Sequence, residues 1–245
     1  MTASPWVVMP KFFLLFLLSV LFFSPSAHAE EDMYTECDSY RDVPVHVTPR
    51  FDEPVFDFTA SIGDIMALSR DLHHSIQESL TLGLTRYEPM LELQVPVRGV
   101  KLPNGLACVH VDHVDVTFGY QNVKVYVARE FPQGSCGFNE VLAHEQKHIN
   151  VNKKILNMYA PRIAQELGDY LKLNGVFREL DEDYAMGILH EKLQSVINGI
   201  VKDLNKENTY RQRDVDTYFE YQRVSESCNG EVQRVTSKYR MKMPH

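Results

Sequence analysis

The 245-residue chain is 44% hydrophobic and carries a formal net charge of −8, which allows one domain with a sizeable core, whereas two independent domains would each be small. No basic stripe or basic run with interleaved aromatics occurs, which excludes a nucleic-acid binder; the acidic balance mainly implies solubility. All four cysteines, Cys37, Cys108, Cys136 and Cys228, lie beyond residue 30, and an even set in an exported chain favours disulfides over catalytic thiols.

At the N-terminus Lys11 precedes an apolar run over residues 12–23, broken only by Ser19, and Ala27-His28-Ala29 follows. This reads as a secretory signal peptide, residues 1–29, cleaved after Ala29, with Met9 a second plausible start. Twelve apolar residues are short against the ~20 of a membrane span. Cleavage takes Lys11 alone among the charged residues, so residues 30–245, read as a single domain, carry −9. The expected product is exported to a bacterial periplasm or the extracellular medium, with no membrane span after cleavage. The sequence leaves oligomeric state open.

Residues 43–47 alternate apolar and polar and predict a short strand. Ile65, Leu68, Leu72, Ile76 and Leu80 recur at helical spacing, so residues 62–80 predict an amphipathic helix with Ser61 as its cap. Valine-rich stretches at 91–97, 107–118 and 122–128 predict strands, the last two forming a hairpin that turns near Gly119-Tyr120-Gln121-Asn122. From residue 139 to about 173 the pattern is helical, with Pro161 expected to kink or divide it and Asn174-Gly175 to stop it. Residues 181–204 predict another helix with Leu189, Leu193, Ile197, Ile200 and Leu204 on its apolar side. The resulting expectation is an α+β fold: a small, mostly antiparallel N-terminal sheet with one helix, then a helical half.

The chemistry concentrates in His144-Glu145-Gln146-Lys147-His148. Residues four apart on a helix share a face, so both imidazoles can reach one Zn²⁺, and Glu145 beside it can take a proton from a zinc-bound water. Random order would give roughly 0.03 His-Glu-x-x-His motifs in a chain of this composition. Val141, His144, His148, Val151 and Ile155 recur at steps of three and four, so the histidines lie within an apolar stripe; Phe138, Leu142, Ile149 and Leu156 form a second stripe beside it. The plainer alternative is two satisfied core histidines and an exposed glutamate.

Two imidazoles do not complete a catalytic zinc site, which takes three protein ligands and an open position. Asn150, Val151 and Asn152 after Ile149 exclude the metzincin continuation. The best source of a third ligand is residues 214–223, where Asp216 and Glu220 are four apart. Glu220 is the favoured ligand and Asp216 the residue expected to orient an imidazole, with Tyr218 or Tyr221 as a donor to the oxyanion of a tetrahedral intermediate. A solvated acidic helix is the plain alternative. His190 and Glu191 compete as ligands, whereas His73, His74, His110 and His113 read as structural or surface residues. Of three possible cysteine pairings, Cys136–Cys228 with Cys37–Cys108 is expected, because the first would tie the motif helix to the acidic segment.

The stretch 142–151 resembles the zincin metallopeptidases, and residues 216–220 resemble the gluzincin pattern with its two carboxylate types reversed. More loosely, the signal peptide, valine-rich sheet, motif and acidic segment resemble uncharacterised secreted bacterial zinc proteases. The resemblance implies Zn²⁺ as cofactor, His144 and His148 as metal ligands, Glu145 as general base and a peptide or protein as substrate. It also implies an edge strand beside the motif helix, for which residues 122–128 are the expected choice. Two other functions fit the same residues: a non-catalytic envelope binding or structural protein on a zincin-like scaffold, and a zinc-dependent hydrolase of a cell-wall amide.

Overall fold

The computed structural model describes residues 42–72, 80–179 and 181–241. The signal segment, Cys37, His73, His74 and residues 73–79 of the expected first helix lie outside them.

The fold is α+β, as expected. Its first sheet is organised around one long strand, β6 (Val114–Val127). Along one edge β1 (Val45–Phe51) and then β2 (Val55–Asp57) pair with it in parallel; along the other, β3 (Gly83–Gln94) pairs antiparallel. This sheet is therefore mixed. A second, antiparallel sheet holds β4 (Val97–Lys101), β5 (Ala107–Val111) and β7 (Val176–Glu179). In β1 the side chains alternate, with His46, Thr48 and Arg50 exposed and Val45, Val47 and Phe51 turned toward the core, as the two-residue pleat requires.

The expected hairpin at 119–122 does not form. Residues 114–127 run straight through as β6, and the chain breaks instead between β5 and β6, which belong to different sheets. Gly119, at φ 150°, passes so close to β1 that a Cβ there would lie 1.8 Å from the Arg50 carbonyl oxygen. Asn122 takes φ 52° where the β3–β6 register slips between Arg86 and Glu88. Both residues resemble turn formers, but neither turns the chain: Gly119 keeps its register and makes room for β1, while Asn122, which tolerates the left-handed region, lies at a bulge whose extra residue is absorbed inside the ladder.

Four helices complete the fold among the described residues. The first, α1 (Ile62–Leu72), starts at the expected Ser61 cap, whose backbone N–H and hydroxyl donate to Asp64 while Asp64 N–H donates back to Ser61 Oγ. The motif helix α2 (Cys136–Asn174) begins where Ser135 Oγ accepts from Phe138 N–H, and it continues through Pro161 as one helix. Next comes α3 (Glu182–Val215), which outruns its expected end at Leu204 by three turns. The last, α4 (Tyr218–Arg240), is interrupted at Ser227–Gly230, where Cys228, Asn229 and Gly230 take positive φ. None of these helices is long and apolar enough to cross a membrane, among the described residues.

Two large apolar clusters form most of the core among the described residues. The larger joins Val114, Val116 and Phe118 to Ile163, Leu167 and Leu171 of α2 and to Leu189, Leu193 and Ile197 of α3. The smaller gathers Ile62, Ile65, Phe131, Phe138, Val141, Val224 and Val232 around the start of α2. Between Val141 of the second cluster and Ile155 of the first, α2 presents His144, Glu145, His148 and Asn152, so the polar site occupies the seam. The disulfide Cys136–Cys228, with Cα atoms 5.6 Å apart, ties the start of α2 to α4 as expected. Cys108 is also disulfide-bonded, and the Cys37 half of its expected pair lies outside the described residues.

Candidate metal centre

Because α2 and α3 run antiparallel, successive turns of one meet successive turns of the other: Asn152 meets Asn208, His148 meets Gln212, and both histidines meet Asp216. Asp216 sits at the end of α3, its N–H still donating to the Gln212 carbonyl, and Thr217 at once caps α4 by accepting from Glu220 N–H. Asp216 thus continues, one turn beyond Gln212, the face of α3 that meets the motif helix.

Asp216 Oδ1 lies 3.1 Å from His144 Nε2 and 3.2 Å from His148 Nε2, and the two Nε2 atoms are 3.2 Å apart. Three donor atoms so form a nearly equilateral triangle. For a tetrahedral zinc with ligand bonds near 2.0–2.1 Å, any two donors stand about 3.3 Å apart, so the triangle fits one face of that coordination shell to within a few tenths of an ångström. The donor set, two imidazoles and one carboxylate, is also chemically suited to Zn²⁺.

This arrangement exchanges the expected roles of the two carboxylates. Glu220 stands on the far side of His144, with Oε1 3.5 Å from Nδ1, and its oxygens accept from Lys147 at 2.5 Å and from Arg223 at 2.9 and 3.1 Å. Asp216, not Glu220, faces both Nε2 atoms. The physical reason is the cap: Asp216 and Glu220 belong to different helices, so their four-residue spacing does not put them on one face. Tyr218 is also displaced from its expected role, being 74% exposed and packed edge-on against Phe219. Tyr221 is the phenol at the site, donating to Asp216 Oδ1 at 3.0 Å with its ring beside His144. His190 and Glu191 are exposed, 26 residues up α3 from Asp216, roughly 39 Å along the helix.

Glu145 is 4% exposed and packs under β3. Thr85 Oγ1 donates to its Oε2 at 2.8 Å, and a Cβ at Gly83 would come within 2.6 Å of its Oε1, so only glycine leaves room for the carboxylate. The strand beside the motif helix is therefore β3, an edge strand among the described residues. Residues 122–128 instead form the end of the central strand, flanked by β2 and β3.

Burial pushes the Glu145 carboxyl up, against the pull of His148, Thr85 and His144. Burial alone would lower His148, but its hydrogen bond to Asp216 and the charges of Glu145 and Asp216 outweigh that and raise it to about 9 in the metal-free chain. Asp216, in turn, is held well below the carboxylate range: the two histidines and Tyr221 overcome its desolvation. The Arg223 hydrogen bond, with help from Lys147 and His144, lowers Glu220 to about 2.

Beneath the triangle lies a polar layer that the His-Glu-x-x-His motif does not reveal. His148 Nδ1 contacts Gln212 Oε1 at 2.5 Å, and the Gln212 amide continues to Asn152 and Asn208, which reaches the hydroxyls of Tyr120 and Tyr87. The signal was the continuation of the α3 stripe, by steps of four, from Leu204 through residues 208, 212 and 216. A second cluster, Cys136, Cys228 and Glu231, has metal-ligand residue types. Its thiols are consumed by the disulfide, and Glu231 accepts from Gly137 N–H at the start of α2, where a carboxylate complements the helix dipole.

No protein-family model, curated protein or solved structure matches the chain.

Proposed function

We propose that this chain is an exported zinc-dependent peptidase of the zincin type. The observation that carries this reading is the donor triangle of His144 Nε2, His148 Nε2 and Asp216 Oδ1, with edges of 3.1–3.2 Å. With Asp216 as third ligand and Glu220 behind His144, the order along the chain is that of the gluzincin pattern, ligand first and orienting carboxylate four residues later, with Asp and Glu exchanged. Bound Zn²⁺ would polarise a water at the open position and bring its pKa toward ~7.

The chain's own groups would do the rest. Glu220 accepts from the Nδ1 side of His144 and holds that ring with Nε2 inward. Thr85 occupies Glu145 Oε2, which leaves Oε1 to take a proton and later deliver it to the leaving nitrogen. A carboxyl raised by burial suits that exchange near neutral pH. Tyr221, within reach of Asp216, replaces Tyr218 as the phenol that can steady the ligand or donate to a developing oxyanion. An extended peptide can pair along the β3 edge.

A non-catalytic zinc centre is the second reading, favoured by the deep burial of Glu145 under Gly83 and Thr85. Glu145→Gln separates the two: loss of peptide hydrolysis with zinc retained supports the peptidase. A parent protein that binds zinc yet hydrolyses neither peptides nor cell-wall amides supports the second reading.

A further inference from the structure

The polar layer beneath the triangle determines which nitrogen of His148 carries its proton. Gln212 Nε2 lies 3.3 Å from the backbone carbonyl oxygen of His148, 2.9 Å from Asn152 Oδ1 and 3.2 Å from Asn208 Oδ1. A backbone carbonyl only accepts, so the end of the Gln212 amide that faces it must be the NH₂. The opposite end, Oε1, is then the atom 2.5 Å from His148 Nδ1. That oxygen cannot donate, which makes Nδ1 a fixed N–H nitrogen and leaves Nε2, facing His144 Nε2 and Asp216, as the position that exchanges a proton for a metal.

The amide is itself held on several sides. Asn208 Nδ2 donates to Asn152 Oδ1 at 2.8 Å and to Tyr120 Oη at 3.0 Å, leaving Asn208 Oδ1 to accept from Gln212. Asn152 is fully buried and Asn208 nearly so, and reversing any one of these amides would set like atoms against each other in a dry environment.

We infer that Gln212 is a positioning residue of the metal centre: locked by Asn152 and Asn208, it holds His148 in the Nδ1–H form and presents Nε2 as the ligand atom. His144 is oriented on its Nδ1 side by the charged, part-buried Glu220, whereas His148 is oriented by a neutral amide anchored in the core. This inference rests on the zinc reading, and its test separates the two.

The experiment measures zinc affinity by competition with a chromophoric chelator for the parent chain and Gln212→Met, which keeps length but removes the amide. Alongside it are taken the melting temperature of each metal-free chain and the ¹⁵N shifts of His148 in the zinc-loaded parent. The expected result is a 10–100-fold weaker zinc affinity in Gln212→Met, measured below its lowered metal-free melting temperature, and ¹⁵N shifts showing metal on Nε2 with a protonated Nδ1. Unchanged affinity in Gln212→Met, or metal on Nδ1, overturns the positioning role and leaves the zinc reading intact. A parent that binds no zinc overturns both. If Gln212→Met does not fold, the parent's ¹⁵N shifts decide alone.

Discussion

The paired helices α2 and α3 are built the same way along their whole contact but carry opposite chemistry at their two ends. At the distal end Ile163, Leu167 and Leu171 face Leu189, Leu193 and Ile197, all buried and apolar. At the proximal end the same spacing presents His144, His148 and Asn152 to Asn208, Gln212 and Asp216. Apolar pairs need only fill space, so the distal half should tolerate conservative exchange. Polar pairs must satisfy one another, so the proximal half works as a unit in which the loss of one partner strands the next.

The largest expected effect lies at the proximal end. Glu145→Gln should lower hydrolysis by about 10²–10⁴ while zinc stays bound, as read by turnover and metal content on the same sample. Undiminished turnover would remove Glu145 from the mechanism. At the distal end Ile197→Ala should cost about 2–5 kcal/mol of stability and leave zinc stoichiometry unchanged, as measured by denaturant unfolding and elemental analysis. A loss of zinc there would dissolve the contrast between the halves.

A third test uses pH. In the metal-free chain His148 is raised to about 9 from an ordinary 6.5. Its contribution to stability is therefore complete below about 6.5 and is lost as pH climbs through 9. Zinc must displace that proton, so apparent zinc affinity should rise by up to about tenfold per pH unit from 6.5 towards 9. A flat chelator-competition profile over that range would contradict the proximity of Asp216. The smallest effect is expected at Tyr218→Ala: an exposed side chain outside the site should change stability by no more than about 0.5 kcal/mol and leave turnover alone, whereas Tyr221→Phe should lower it.

What the sequence made legible follows from periodicity. The motif helix and the apolar part of α3 are readable because their stripes repeat every three to four residues, and Ser61 sits where a helix start needs a capping side chain; the motif helix itself starts three residues before the expected 139, at the Ser135 cap. The Cys136–Cys228 bridge was accessible from the placement of its halves. The four-residue spacing of Asp216 and Glu220 misleads because a helix cap lies between them. Thr217-Tyr218-Phe219-Glu220 is a Thr-x-x-Glu helix start, and it assigns Asp216 to the preceding helix and Glu220 to the next. The straight course of β6 was hidden for a different reason: Gly119 and Asn122 have turn chemistry, and only the close passage of Arg50 and the slip opposite Tyr87 show that the first makes room for β1 and the second lies at a bulge. The amides of Asn152, Asn208 and Gln212 look like surface residues one at a time and show their burial only as continuations of apolar stripes.

The measurement that bears most directly on this account is zinc content and affinity of the purified chain beside Asp216→Ala and Glu220→Ala. The account predicts one zinc per chain, lost in Asp216→Ala and retained with weakened affinity in Glu220→Ala. No zinc in the parent after reconstitution, or zinc kept in Asp216→Ala and lost in Glu220→Ala, would contradict it.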